Sequence, residues 1–122
     1  MARVGIVGGL GPESTIDYYR RILEAWERLD PVSTPSIVID SLDVATALRL
    51  VERDRPALAD YLLASLVRLA GAGVDFAAMT ANTPHIVFDE LADRSPVPLV
   101  SIVEVCADEA KRRGLRDRKS VV

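Results

Sequence analysis

The sequence of 122 residues contains one cysteine, Cys106, and one histidine, His85. A single cysteine excludes a disulfide bond within the chain. It is also typical of proteins in the reducing cytoplasm, so we expect the protein to be cytoplasmic. Because there is one histidine and no spaced set of cysteines, histidines and acids, the sequence predicts no metal site. Cys106 lies on the apolar side of a predicted helix, which favours a buried structural thiol over a nucleophile.

Lysines and long apolar runs are also scarce. Lys111 and Lys119 are the only lysines, the formal net charge is −3, and the arginines alternate with acids on predicted helices. This pattern argues against a nucleic-acid partner. No apolar run approaches the length of a membrane span, and the N-terminus leads directly into a predicted strand without a signal-peptide pattern. We therefore expect neither nucleic acid nor membrane among the partners.

The composition, 49% apolar and 27% charged, is typical of a globular domain that is long enough to bury a core. Short β-branched runs alternate with helical patterns, which predicts an α/β fold with a parallel sheet covered on both faces. Four strands are predicted, and we expect the flavodoxin-like order 2-1-3-4. The predicted strands are Arg3–Val7, Ile37–Ile39, Val74–Met79 and Pro98–Val100.

Helical periodicity predicts which side chains are buried. The first helix is predicted from Pro12 to about Leu29, and the strongest later helix from Pro56 to Ala72. The predicted buried stripe of the first helix is Ile16, Tyr19, Ile22, Leu23 and Trp26. That of the later helix is Leu58, Tyr61, Leu62, Ser65, Leu66 and Leu69.

Two polar loops follow the strands that this order places side by side. The loops are Gly8–Thr15 and Thr80–His85, and each one opens a helix. In the second loop Thr83 is predicted to cap a helix whose first residue is Pro84. Helix starts expose unpaired backbone N–H groups and the positive end of the helix dipole, so together these loops predict a site for a small carboxylate or phosphate. The structural alternative is that the second loop is only a well-capped turn.

The glycine loop matches the known nucleotide motifs only in part. It begins like the dinucleotide fingerprint, but Ser14 replaces the final glycine and Glu13 would face the pyrophosphate. The sequence also contains no Gly-Lys-Ser/Thr phosphate loop. A nucleotide-binding domain is therefore the weakest of the readings, and Glu13 has a simpler role as an acid stabilising the first turn of its own helix.

Three motifs carry a resemblance to a known family. They are residues 5–15 with Tyr18, Tyr19 and Arg20 (GIVGGLGPEST and YYR), residues 82–85 (NTPH), and residues 96–102 (PVPLVSI). In this order and at this separation they resemble the aspartate/glutamate racemases, and the resemblance extends from Met1 to about Arg116. The family implies a two-domain α/β isomerase that racemises acidic amino acids without pyridoxal phosphate or another cofactor.

The resemblance also assigns roles to residues. Family members use two cysteine bases, one from each domain, on opposite faces of the substrate. Asn82 and Thr83 match positions that hold the substrate carboxylate, and backbone groups near Gly9 and Leu10 match the opposite wall. Thr80 and His85 are further candidates beside them. The implied partners are a small acidic amino acid, a C-terminal domain and, as in relatives, a second copy in a homodimer.

The sequence departs from the family pattern at two points. The position of the first cysteine holds Ala81, which cannot move a proton, and the neighbouring Thr80 hydroxyl is a poor base. The family's second domain would follow Arg116, whereas residues 117–122 match the translation of a widely used sequencing adapter. The alternative for these six residues is a natural charged tail with a weakly apolar end. We therefore expect an N-terminal racemase-like domain over residues 1–116, a non-native tail over 117–122, and no racemisation by this chain alone. The alternative is a flavodoxin-like module that binds a small carboxylate or phosphate without chemistry.

Overall fold

A parallel sheet with helices on both faces forms the protein. The computed structural model describes residues 3–79 and 85–100, and of residues 85 and 86 it describes only the backbone. The elements are β1 (Arg3–Gly8), α1 (Pro12–Leu29), β2 (Ser36–Ser41), α2 (Val44–Arg53), α3 (Arg55–Gly71), β3 (Phe76–Met79), α4 (His85–Arg94) and β4 (Leu99–Val100).

The strands are arranged in the order β2-β1-β3-β4, and every adjacent pair is parallel. This confirms the predicted flavodoxin-like order. β1 is therefore a central strand, with Ile6 opposite Ile39 of β2 on one side and opposite Ala78 of β3 on the other. A strand buried on both sides must be apolar throughout, which explains the run from Val4 to Val7.

Alternation along β1 divides the core into two clusters, one on each face of the sheet. Val4 and Ile6 point to the face covered by α1, and Val7 points to the face covered by α2, α3 and α4. The α1 cluster contains Val4, Ile6, Ile22, Trp26, Phe76 and Ala78. The larger cluster contains Val7, Leu42, Ala47, Leu58, Ala59, Leu62, Leu66, Leu69, Val74, Ala77, Met79, Val87 and Leu91.

The predicted buried stripe of α1 is wrong at its N-terminal end. Ile16 and Tyr19 are exposed, at 57% and 39% of their surfaces, and Thr15 is buried instead at 6%. The buried positions of α1 are Thr15, Ile22, Trp26 and Leu29. The stripe is rotated because the loop before α1 places Thr15, rather than Ile16, against the sheet. In α3 the prediction is confirmed except at Tyr61, which is half-buried, while Ala59 is fully buried.

A polar cluster joins the edge strand β2 to α3. Ser65, fully buried in α3, donates a 2.6 Å hydrogen bond to the Oδ2 atom of Asp40. Arg68, one turn later, places its Nε 2.9 Å and its Nη2 2.8 Å from the same oxygen. The cluster therefore satisfies a carboxylate that β2 directs toward a helix. No helix in the described part of the chain is long and apolar enough to cross a membrane.

Candidate functional site

The carboxyl ends of β1, β2 and β3 lie at one edge of the sheet. At that edge Val7 of β1 is opposite Met79, the last residue of β3, and Gly8 is opposite Ser41, the last residue of β2. Because β1 lies between strands reached by crossovers in opposite directions, this is the topological switch point where α/β proteins bind ligands. Loops that leave β1 and β2 here therefore border any crevice at this edge.

The loop after β1 is packed closely against the end of β2. The backbone N–H of Leu42 donates a 2.8 Å hydrogen bond to the Gly8 carbonyl, which continues the β1–β2 pairing past the strand. Gly9 has a φ of +84°, and a Cβ atom placed on it would meet the Leu42 backbone N and O atoms. Glycine is required here both by the left-handed conformation and by this close approach.

Thr15 fixes the same loop from the other side. Its hydroxyl accepts a 2.9 Å hydrogen bond from the Gly9 N–H and donates a 3.1 Å hydrogen bond to the Gly11 carbonyl. The Gly9 amide is therefore engaged within the fold. Sequence reasoning missed this role of Thr15. The available indication was only that a threonine stands in the first turn of the helix that follows the glycine loop.

The first turn of α1 keeps several backbone amides unpaired. Its N-cap residue, Gly11, has no side chain with which to cap the helix, and Pro12 has no N–H. Within residues 3–79 and 85–100, the N–H groups of Leu10, Gly11, Glu13 and Ser14 form no hydrogen bond. These residues are half-buried or exposed, so solvent reaches them. Such a helix start attracts anions, whereas the Glu13 carboxylate opposes them.

The neighbouring helix start, that of α2, is already occupied by its own cap. The Asp43 carboxylate accepts hydrogen bonds from the Ala45 N–H at 3.1 Å and from the Thr46 hydroxyl at 2.8 Å. These bonds, the Thr46 bond first, and the charge of Arg49 hold the pKa of Asp43 below the ordinary value of 3.8. The positive end of α2 is therefore neutralised within the chain, whereas of these two helices α1 has no side-chain cap.

The residues predicted to form the site are placed as follows. Gly9 and Leu10 lie in the loop between β1 and α1, and the half-buried Leu10 side chain packs on the larger core cluster. His85 is the first residue of α4. Thr80, Ala81, Asn82 and Thr83 lie outside the described residues, and so does the predicted cap formed by Thr83. Their assigned roles therefore stay predictions.

Comparison with known proteins identifies the family. A model of the Asp/Glu/Hydantoin racemase family matches residues 7–122. The chain belongs to this family. Among curated proteins, the racemase-family chain is 29% identical over 106 residues to the broad-specificity amino-acid racemase RacX of Bacillus subtilis (strain 168). That alignment covers 83% of this chain and 46% of the relative.

Two solved structures resemble the racemase-family chain in fold. An aspartate racemase homologue from Pyrococcus horikoshii OT3 matches with a TM-score of 0.75 and 34% identity. A putative Asp/Glu racemase from Yersinia pestis matches with a TM-score of 0.77 and 29% identity. Each alignment covers 93% of this chain and 50% of the other. The chain therefore spans about half the length of the relatives that it matches.

Proposed function

We propose that this chain is the N-terminal half of a cofactor-independent racemase for acidic amino acids, and that its part is to bind a substrate carboxylate. The single observation that carries the proposal is the uncapped start of α1 at the switch point. There the unpaired amides of Leu10 and Gly11 lie in the loop that follows the central strand β1. Membership of the racemase family supplies the substrate class.

The chemistry of racemisation explains why such a site is needed. The α-proton of an amino acid is very weakly acidic, so negative charge that develops on the carboxylate must be stabilised by fixed donors. In our proposal, the amides after β1 form one wall and the side chains of Asn82 and Thr83 form the other. Thr80 and His85 are secondary candidates at the same wall.

The proposal assigns no base to this chain. Ala81 occupies the position of the first cysteine of the family, and a methyl side chain neither accepts nor donates a proton. In a two-base reaction one group removes the α-proton from one face of the substrate, and a second group returns a proton to the opposite face. We therefore propose that the chain binds acidic amino acids but does not racemise them alone. The alternative is a non-catalytic module that binds a small carboxylate or phosphate.

Binding is tested by titrating the ¹⁵N-labelled chain with L-aspartate, D-aspartate, L-glutamate and phosphate, with L-lysine as the control. We expect the acidic amino acids to shift the amide signals of Leu10, Gly11, Glu13 and Ser14 more than L-lysine does. Shifts with phosphate alone would favour the alternative module. No shift at these four amides with any anion would contradict the proposed site.

Catalysis is tested by following exchange of the α-proton of aspartate for deuterium in D₂O, together with chiral analysis of the product. We expect neither exchange nor racemisation by the chain as it stands. The variant Ala81→Cys restores a thiol at the family position, and one-sided α-proton exchange by it would favour a site built for racemase chemistry. Racemisation by the unaltered chain would contradict the proposed inactivity.

A further inference from the structure

Thr15 is the one polar side chain of α1 that is buried against the sheet, at 6% exposure. The other buried positions of α1 are the apolar residues Ile22, Trp26 and Leu29. Burying a hydroxyl group beside them costs free energy unless the hydroxyl forms hydrogen bonds. The Thr15 hydroxyl forms these hydrogen bonds with the loop that precedes α1. The oxygen accepts from the Gly9 N–H and its proton is directed to the Gly11 carbonyl.

These two hydrogen bonds add to the Leu42 contact that already holds Gly9, and they also reach Gly11. Gly9 and Gly11 have φ values of +84° and +146°, and glycine pays more conformational entropy on ordering than any other residue. The Thr15 hydroxyl joins both of them, and Leu10 lies between them. The methyl group of Thr15 also lies beside Gly8, and a Cβ atom added to Gly8 would come within 2.7 Å of that methyl carbon.

We propose that Thr15 is a positioning residue, whose hydroxyl holds the loop from Gly8 to Gly11 in the conformation that keeps the Leu10 and Gly11 amides available to a ligand. The proposal deepens the carboxylate-binding function above and rests on it for the identity of the ligand. Pre-organisation of this kind lowers the entropy lost on binding, because the loop is ordered before the ligand arrives. Thr15 itself need not contact the ligand.

The first test uses the ligand-free chain and measures amide hydrogen exchange at Gly9 relative to that at Leu66, a fully buried residue of α3 that reports global unfolding. Thr15→Val removes the hydroxyl at nearly constant shape, and Thr15→Ser keeps it. We expect the Gly9-to-Leu66 ratio of exchange rates to rise about tenfold or more in Thr15→Val and to stay within about twofold in Thr15→Ser. A loss of global stability alone would speed both amides alike and leave the ratio unchanged, and the affinity measurement below separates ordering of the loop from an effect on binding.

The second test measures aspartate affinity from the Leu10 and Gly11 amide shifts. We expect Thr15→Val to weaken it about three- to tenfold and Thr15→Ser to restore it. Thr46→Val, which removes a hydroxyl from α2, is the matched control and should leave both readouts unchanged. If Thr15→Val does not fold, Thr15→Ala removes the hydroxyl with less bulk beside Gly8.

The outcomes separate this inference from the proposed function. An unchanged Gly9-to-Leu66 ratio in the folded variant without the hydroxyl, or a raised ratio in Thr15→Ser, overturns the role of Thr15. If aspartate shifts no loop amide in the unaltered chain, the carboxylate function fails, and with it the positioning of amides for that ligand. The exchange ratio then still decides whether Thr15 orders the loop.

Discussion

Gly9 approaches the backbone of Leu42 so closely that a side chain at position 9 would overlap it. A Cβ atom on Gly9 would lie 2.5 Å from the Leu42 carbonyl oxygen and 2.7 Å from the Ser41 hydroxyl. The end of β2 therefore forms the back of the loop that leaves β1. This contact fixes Gly9 against the residues that end β2.

Gly9→Ala should lower the free energy of unfolding by about 2–4 kcal/mol, because it adds an unfavourable positive φ to an overlap with backbone atoms that cannot rotate away. Urea denaturation measures the change. Gly71→Ala is the matched control, since a Cβ there meets no atom within 4 Å at the end of α3, and it should be neutral or stabilise by up to about 1 kcal/mol. Equal effects of the two substitutions would contradict the contact.

Gly8→Ala should destabilise the chain by about 1–3 kcal/mol, because the new methyl group would meet the Thr15 methyl carbon at 2.7 Å. Thr15→Ser removes that carbon, so Gly8→Ala should cost about 1 kcal/mol less in a Thr15→Ser background. A double-mutant cycle from denaturant unfolding measures this coupling. Additive effects would show that the strain of Gly8→Ala arises elsewhere.

Ser65→Ala should cost more stability than Arg68→Gln, although both side chains bind the same oxygen of Asp40. Ser65 is fully buried, and its removal leaves that carboxylate with one 2.6 Å hydrogen bond fewer, at about 1–2 kcal/mol. The Arg68 side chain is 55% exposed, so its ion pair is worth at most about 1 kcal/mol. Thermal unfolding of the two variants gives the order directly, and the reverse order would contradict it.

Asp43 should make the chain less stable in acid. Hydrogen bonds from Thr46 and Ala45 lower the pKa of Asp43 in the folded chain, so its contribution is fully present above pH 3.8 and is lost as the pH falls through the folded pKa. A carboxyl ¹³C titration should give a pKa below 3.8 that rises in Thr46→Val. Thr46→Ser keeps the hydroxyl and serves as the control, so a rise in both variants would assign the shift to another cause.

Glu13→Gln should strengthen anion binding while slightly weakening the fold. An exposed acid in the first turn of α1 stabilises the helix dipole by about 0.3–1 kcal/mol, and it repels an anion at the same helix start. We expect aspartate affinity to rise about two- to fivefold at low salt and the gain to shrink at 1 M salt, where charges are screened. An unchanged affinity at low salt would place the bound anion away from α1.

Hydrophobic periodicity was sufficient to predict the fold class, because the strands and helices that it predicts agree with those of the structure nearly everywhere. The alternation of short β-branched runs with helices predicted the strand order, and Pro12 marked the start of α1. It failed at Ile16 and Tyr19, where apolar spacing alone could not reveal that the preceding loop turns Thr15 toward the sheet. The actual stripe depends on hydrogen bonds to Gly9 and Gly11, which only the folded loop shows.

The sequence predicted where in the fold the site lies, but it did not predict the hydrogen bonds within the site. The order of strands indicated which loops leave the sheet at the switch point, and the motif around Gly9 indicated the family. The sequence could not show that the Gly9 amide is taken by Thr15, nor that Asp43 neutralises the start of α2. Both facts depend on distances between segments that periodicity does not fix. The roles of Asn82 and Thr83 stay predictions.

The contacts of Ser65 and Arg68 with the Asp40 carboxylate also bear on association between molecules. Among the strands that the structure describes, β2, which contains Asp40, is the outermost at its end of the sheet. The free backbone groups of an outermost strand are a template for pairing with another chain. The hydrogen bond from Ser65 and the ion pair with Arg68 hold α3 against this strand. Loss of these contacts would loosen β2 from α3, and a loosened edge strand is more easily paired by a second molecule.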